Sequence, residues 1–358
     1  EVGNYGPFTT CGLQLPEFLR WPNHDNSWMP LLSCQYLQGH RELYLAHLVL
    51  SFITMGYVWQ EGEKEVPKVL PRNLAIPFGE VSEMLGLPPI LVHTDFVLVN
   101  WKKKNPQGNL EPIVTLPGGT STVGFILVSL LAEKVAAPGL KAVAKAVNGL
   151  LQPDDKILAE ALQEVTNTLQ EMTKTLKKMH GKPVIPTHLD IDIDWKDNPV
   201  LPEGLLYEGL CEEPLAYSGG SAAQSSTLHA FDELLGIQHQ KESAGFLHRM
   251  RKYMPPHHQA FIEEIRSVPR LRDHVLSSGN QDLQSTYNKC VAVLSELRTY
   301  HITLVTKYII IAAKKAKNNI SQTTSPPSFL EVVGTGGSRV LKFLKSVRDT
   351  TKEAMIQL

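Results

Sequence analysis

Two stripes of apolar residues organise the chain. Leu158, Leu162, Val165, Leu169, Met172, Leu176 and Met179 recur at alternating steps of four and three, and so do Leu283, Tyr287, Cys290, Leu294, Leu297, His301, Leu304, Tyr308 and Ile311. That spacing puts every member of a stripe on one face of a long helix. The first stripe predicts a helix within 153–180, packed inside an all-helical domain or, as the alternative, paired in a coiled coil. Gly39 to Gln60 is apolar nearly all round and predicts a buried helix. A shorter helix is predicted around Phe78 to Leu85, before Pro88-Pro89 and the apolar run Ile90 to Trp101. Gly124 to Ala136 is almost continuously apolar, and Pro138 is placed to open a further helix, since proline is tolerated in a first turn. Leu341, Leu344 and Val347 mark an amphipathic helix near the C-terminal end.

The breaks between these segments set the organisation. The first thirty residues hold Pro7, Pro16, Pro22 and Pro30 and read as irregular chain. Residues 102–123, with Pro106, Gly108, Pro117, Gly118 and Gly119, read as a linker, which divides a smaller part, 1–116, from a larger helical part, 117–358. Residues 181–194 are rich in proline and aspartate, and 314–333 are polar and predict a mobile loop. No strand set and no internal repeat emerges. The fold class expected is all-α.

Composition narrows the partners. Across 358 residues, 35 Lys and Arg face 36 Asp and Glu, a net charge of −1, so there is no basic footprint for nucleic acid or anionic lipid. Lys102-Lys103-Lys104 reads as a solvated loop. The four cysteines, Cys11, Cys34, Cys211 and Cys290, form no CxxC pair, which argues against a disulfide framework or structural zinc and fits a reducing compartment. Leu43 to Trp59 is near the lower limit of a bilayer span, but His47, Ser51, Thr54 and Gly56 make it a core helix. No signal-peptide pattern opens the sequence. These readings predict a cytoplasmic protein without a membrane or nucleic-acid partner.

His301 is the first candidate for chemistry, because it holds a seam position that apolar residues otherwise occupy. A buried imidazole needs partners for its nitrogens. The residues alone read it as a core histidine bonded to a carbonyl or carboxylate, with a metal or haem iron as the other reading. Arg298, one turn earlier, needs an anion or water, and Asp232 on a separate helix is a candidate. Gly219 to Ser226 (GGSAAQSS) lets backbone amides approach a ligand, or simply turns the chain into a helix capped by Ser221 or Ser225. Gly334 to Ser338 precedes a helix likewise, as an anion site or a hinge. Other patterns fail: HExxH is absent, His257-His258 reads as an exposed turn, His40 and His47 lack a carboxylate to complete a metal site, and no pair of acids is isolated from solvent.

Six segments are familiar in combination: Val69–Ala75 (VLPRNLA), Leu87–Val92 (LPPILV), GGSAAQSS, Phe246–His258 (FLHRMRKYMPPHH), Leu297–Tyr308 (LRTYHITLVTKY) and Gly334–Gly337 (GTGG). In this order they resemble the indoleamine 2,3-dioxygenase family, over roughly 29–180 and 195–358. The resemblance implies an all-helical monomer whose large C-terminal domain holds haem b and whose small N-terminal domain caps the distal pocket. It implies insertion of O2 across the indole C2–C3 bond of L-tryptophan or related indoleamines, giving N-formylkynurenine in tryptophan catabolism by the kynurenine pathway. By the same resemblance His301 is the proximal iron ligand, and Asp232 and Arg298 are the ion pair behind it. Phe125, Ile126, Ser129 and His93 line the distal pocket, Ser221 and Ala222 contact haem and substrate, and Thr335 lies on a loop that closes over the substrate. No residue is required to act as acid or base.

Two departures accompany the resemblance. Family members carry two aromatics and a carboxylate-binding arginine where residues 181–194 read GKPVIPTHLDIDID, with Asp190, Asp192 and Asp194 instead. Losing such a contact costs on the order of 2–5 kcal/mol, a tenfold to several-thousandfold loss of catalytic efficiency. Weak activity is therefore expected, the alternative being a haem-binding, catalytically impaired member with a signalling or interaction role. Residues 1–28 also match the family weakly.

Overall fold

The computed structural model describes residues 30–60, 66–116, 120–181, 200–311 and 338–357. Expectations for residues 1–29, 182–199 and 312–337 lie outside them. Among the described residues the fold is all-α, as the stripes predict. Its helices are α1 (Gly39–Trp59), α2 (Arg72–Leu85), α3 (Thr120–Leu151), α4 (Asp155–Lys177), α5 (Ser226–Leu235), α6 (Lys241–Arg251), α7 (Pro256–Ser267), α8 (Leu271–Ser278), α9 (Gln281–Val305) and α10 (Ser338–Glu353). Extended chain is confined to two-residue pairs. β1 (Val69–Leu70) runs parallel to β4 (Leu206–Tyr207), and β2 (Lys102–Lys103) pairs antiparallel with β3 (Leu110–Glu111), which puts the lysine triplet on an exposed hairpin.

Two apolar cores result. The first is built by α1 and α2 around Leu48, Phe52, Leu74, Phe78 and Leu91, and Leu201, Leu205 and Tyr207 complete it from far along the chain. The backbone bridge between Leu205 and Leu215 passes so close to Gly204 (φ +94°) that a Cβ there would lie 2.3 Å from the Leu215 carbonyl oxygen. The second core gathers α3, α4, α5, α9 and the residues just after α10 around Leu162, Leu169, Phe231, Tyr287 and Leu294. Gly139 lets α3 approach α4 closely, since a Cβ would meet Thr168 Cγ2 at 2.7 Å.

The seam of α9 is buried at Leu283, Tyr287, Cys290, Leu294, Leu297 and Leu304, and again at Tyr308. It ends there: α9 stops at Val305, a π-turn covers Thr306–Ile310, and Ile311 is exposed. Three boundaries differ from expectation. Pro138 opens no helix but sits inside the 32-residue α3. Both Pro138 and Lys134, whose carbonyl loses its amide partner, lie on the exposed face, where water can satisfy that carbonyl. Helix α2 begins at Arg72, six residues before Phe78, with Pro77 within it. The expected linker 102–123 contains the β2–β3 hairpin and the first turn of α3.

Candidate functional site

The α9 seam carries its one imidazole differently from its neighbours. His301 is half-buried while the seam residues on either side are buried. Its ring has no hydrogen-bond partner among the described residues. Removal from water, and then the charge of Arg298, hold the imidazole below its ordinary pKa, so it is neutral near pH 7. Tyr300 and Leu304, flanking it on α9, join an apolar cluster with Phe125 and Val128 of α3, Met179 and Tyr308.

Behind His301 the charge is fully met. Arg298 Nη2 donates to Asp232 Oδ1 and Oδ2, both at 2.7 Å, and Nη1 donates to the Thr351 hydroxyl. His239 Nε2 lies 3.0 Å from Asp232 Oδ2, and its Nδ1 lies 2.9 Å from Thr350 Oγ1. Burial alone would raise the Asp232 carboxyl, but Arg298 and His239 outweigh it and hold it well below the carboxylate range. The pairing proposed from the sequence between Arg298 and Asp232 is therefore present.

On α3, Phe125, Ser129 and Glu133 follow at four-residue steps down one face. Phe125 and Ser129 are half-buried, whereas Ile126 is fully enclosed. Phe125 meets Phe96 at 5.9 Å between ring centroids, and Phe96 stacks on Phe52 of the first core. His93 enters the same junction. Its amide donates to Gln224 Oε1 at 2.9 Å, and its Nε2 lies 3.1 Å from Glu133 Oε1. Glu133 also accepts from Ser225 Oγ and Thr227 Oγ1, each at 2.7 Å. Burial raises its pKa, but the His93 ring and the two hydroxyls prevail and keep it ionised.

The GGSAAQSS segment resolves accordingly. Ser221 caps the short 3-10 turn Ala222–Gln224 by accepting from the Ala223 amide at 3.2 Å, and Ala222 is exposed. Ser225 precedes α5 but makes no side-chain cap; its hydroxyl donates to Glu133 instead. His258 is not exposed as expected: it is half-buried with Nδ1 2.9 Å from Ser226 Oγ, and only His257 is exposed. His47 is a core residue whose Nδ1 lies 2.7 Å from Asp95, both fully buried. Thr335 lies outside the described residues.

Sequence reasoning missed Glu133, Gln224, His239 and Thr351. Glu133 had a readable signature, since it is a carboxylate inside a long apolar run. The other three depend on contacts across 111 to 131 positions for Gln224 and His239, and 53 for Thr351, which no local pattern encodes.

Among the described residues no cluster of three or more histidine, cysteine or acidic side chains forms a metal cage. A neutral, unpartnered imidazole beside apolar side chains would suit haem iron, which takes a histidine nitrogen as ligand. A helical haem protein is the class that the sequence resemblance implies, and this imidazole fits it. Comparison with known proteins gives its family. Residues 14–354 match the family model for indoleamine 2,3-dioxygenase. The chain is 58 % identical to indoleamine 2,3-dioxygenase 2 of Homo sapiens, over 99 % of this chain and 90 % of that protein. It is 44 % identical to indoleamine 2,3-dioxygenase 1 of Rattus norvegicus, over 98 % and 90 %. It is also 36 % identical to a myoglobin of Haliotis diversicolor, over 91 % and 85 %. The chain belongs to the indoleamine 2,3-dioxygenase family and is a haem-dependent dioxygenase.

Proposed function

We propose that this chain oxidises L-tryptophan or a related indoleamine with O2 to the N-formylkynurenine-type product, and that His301 would hold the iron of haem b. The observation that carries this reading is His301, unpartnered and neutral, with Arg298 held on Asp232 directly behind it. Haem iron, when bound, supplies the O2 chemistry. The chain supplies position and dryness. Asp232 neutralises Arg298, so the ligand helix carries no uncompensated buried cation. Phe125 and Ile126 wall the distal side with hydrocarbon, and Ser129, one turn along, offers the hydroxyl on the same face. His93 closes the smaller part, 1–116, onto the larger through Glu133 and Gln224, excluding water from the indole. Ser221 and Ala222 complete the substrate's surroundings in this reading.

In this reading the chain is a cytoplasmic monomer: the free thiols of Cys34, Cys211 and Cys290 fit a reducing compartment, and the monomeric state is what the family resemblance implies. Its activity is weak, because residues 181–194 offer no arginine for the substrate carboxylate. The test is product formation from L-tryptophan by the haem-loaded protein, before and after an arginine- and aromatic-containing segment replaces 181–194. A gain of tenfold or more supports the reading. A second reading, haem binding without catalysis, is favoured by the relatives named myoglobin. It predicts no product from either protein.

A further inference from the structure

Helix α10 and the residues just after it are fastened to α9, and beside it to Arg272 of α8, at two levels. At the lower level, Asn288 Nδ2 donates to the Ile356 carbonyl and Asn288 Oδ1 accepts from the Ile356 amide, both at 2.8 Å. Arg272 Nε donates to the Ala354 carbonyl at 3.0 Å beside them. At the upper level, the fully buried Thr351 meets Arg298. The Thr351 hydroxyl proton goes to the Val347 carbonyl of its own helix at 2.7 Å. Its oxygen is thus left as an acceptor, which is what Arg298 Nη1 requires.

The guanidinium is consequently held at two nitrogens by two different elements. Nη2 grips both oxygens of Asp232 on α5, and Nη1 rests on Thr351 of α10. A guanidinium attached only through Nη2 could pivot about that nitrogen. Attached at both, its plane and the distance of its charge from His301, three residues along α9, are fixed. The neighbouring Thr350 serves the same cluster through His239, whose other nitrogen faces Asp232. Arg298 is 8 % exposed, so water cannot replace the lost acceptor readily.

We propose that Thr351 of the C-terminal helix is a positioning residue for the iron-ligand helix: it orients Arg298 and thereby sets the environment of His301. The proposal rests on the assignment of His301 as the haem ligand. It also makes α10 part of the proximal wall, although nothing in its amphipathic sequence pattern announces that role.

The test uses the haem-loaded full chain and reads the iron–histidine stretching band by resonance Raman together with the ferric–ferrous midpoint. Thr351→Val keeps the shape and the β-branch but removes the acceptor. It should leave haem content unchanged, shift and broaden the band, and move the ferric–ferrous equilibrium at least about threefold, ~28 mV at 59 mV per tenfold. Thr351→Ser, which keeps the acceptor, should restore both readouts. In an Arg298→Lys background, where no second nitrogen reaches Thr351, Thr351→Val should add nothing further. If valine destabilises the fold, Thr351→Ala carries the same expectations. A variant that binds haem, loses thermal stability and leaves band and midpoint unmoved shows a merely structural threonine and overturns the proposal. A wild-type chain that binds no haem overturns the assignment of His301 and the proposal with it.

Discussion

Glu133 should be the most costly surface-remote carboxylate to remove from the junction between the two cores. Its side chain is 15 % exposed and that of His93 11 %, so solvent screens the contact little. Three donors converge on it, at 2.7, 2.7 and 3.1 Å, and they come from α5, the turn before it and the His93 segment. Glu133→Ala strands two hydroxyls and an imidazole. Breaking a buried charged network by removing one partner costs about 3–5 kcal/mol. Glu133→Gln keeps the volume and one carbonyl oxygen, and the hydroxyls can rotate to accept from its amide, so about 1–2 kcal/mol is expected. With a urea slope of about 3 kcal/mol/M, the alanine variant unfolds about 1–1.7 M earlier. The assay is urea unfolding at pH 7 followed by tryptophan fluorescence, combined with His93→Ala in a double-mutant cycle. The cycle should return about 1 kcal/mol of coupling. Additivity within about 0.5 kcal/mol would refute a direct His93–Glu133 contact, and a Glu133→Ala loss below about 1 kcal/mol would refute the network.

Further outcomes follow from other groups. Asp95→Ala should cost about 3–5 kcal/mol by leaving His47 and the Val92 amide without their buried acceptor, whereas replacing both His47 and Asp95 by leucine should cost markedly less; equal losses in calorimetry would contradict this. Burial lowers the pKa of His229 and of His258, so the unfolded chain binds more protons on acidification. Their contribution is complete above about pH 6.5 and fades as pH falls through their folded values. Glu133 and Asp232, held low in the folded protein, add a second loss below about pH 4. Urea midpoints of the haem-free protein should therefore decline in two stages, and a maximum near pH 5 would be incompatible. Burial pushes the Cys290 thiol up to about 12 and the Cys34 thiol up to about 11, so iodoacetamide at pH 7.5 should label the half-buried Cys211 well before either. Mass spectrometry showing Cys290 labelled first would rule out the packing described for α9.

Periodicity revealed the helices whose burial is one-sided. The 153–180 and 283–308 stripes became α4 and α9 because tertiary contacts only reinforced what the spacing demanded. Proline misled where burial decided: Pro138 costs a hydrogen bond on an exposed face, so α3 runs through it. The candidate site divided along similar lines. The charge of Arg298 called for an anion or water, and Asp232 could be named as a candidate before any contact was known. The role of His301 as a ligand came from family resemblance, since a lone seam imidazole fits a core hydrogen bond equally well. His258 was misread because flanking prolines suggest an exposed turn, while the fold tucks it under Ser226. Thr351 and His239 were invisible to the sequence pattern: Thr351 meets Arg298 across 53 positions, and His239, seven residues from Asp232, is held in place by Thr350, 111 positions away.

The account stands most directly on the visible absorption spectrum of the haem-supplemented chain and its His301→Ala variant, recorded with and without L-tryptophan. It predicts a Soret band that depends on His301 and shifts when tryptophan is added. A stoichiometric band of equal position and intensity in the alanine variant would show that the iron is held elsewhere and would contradict the site described above.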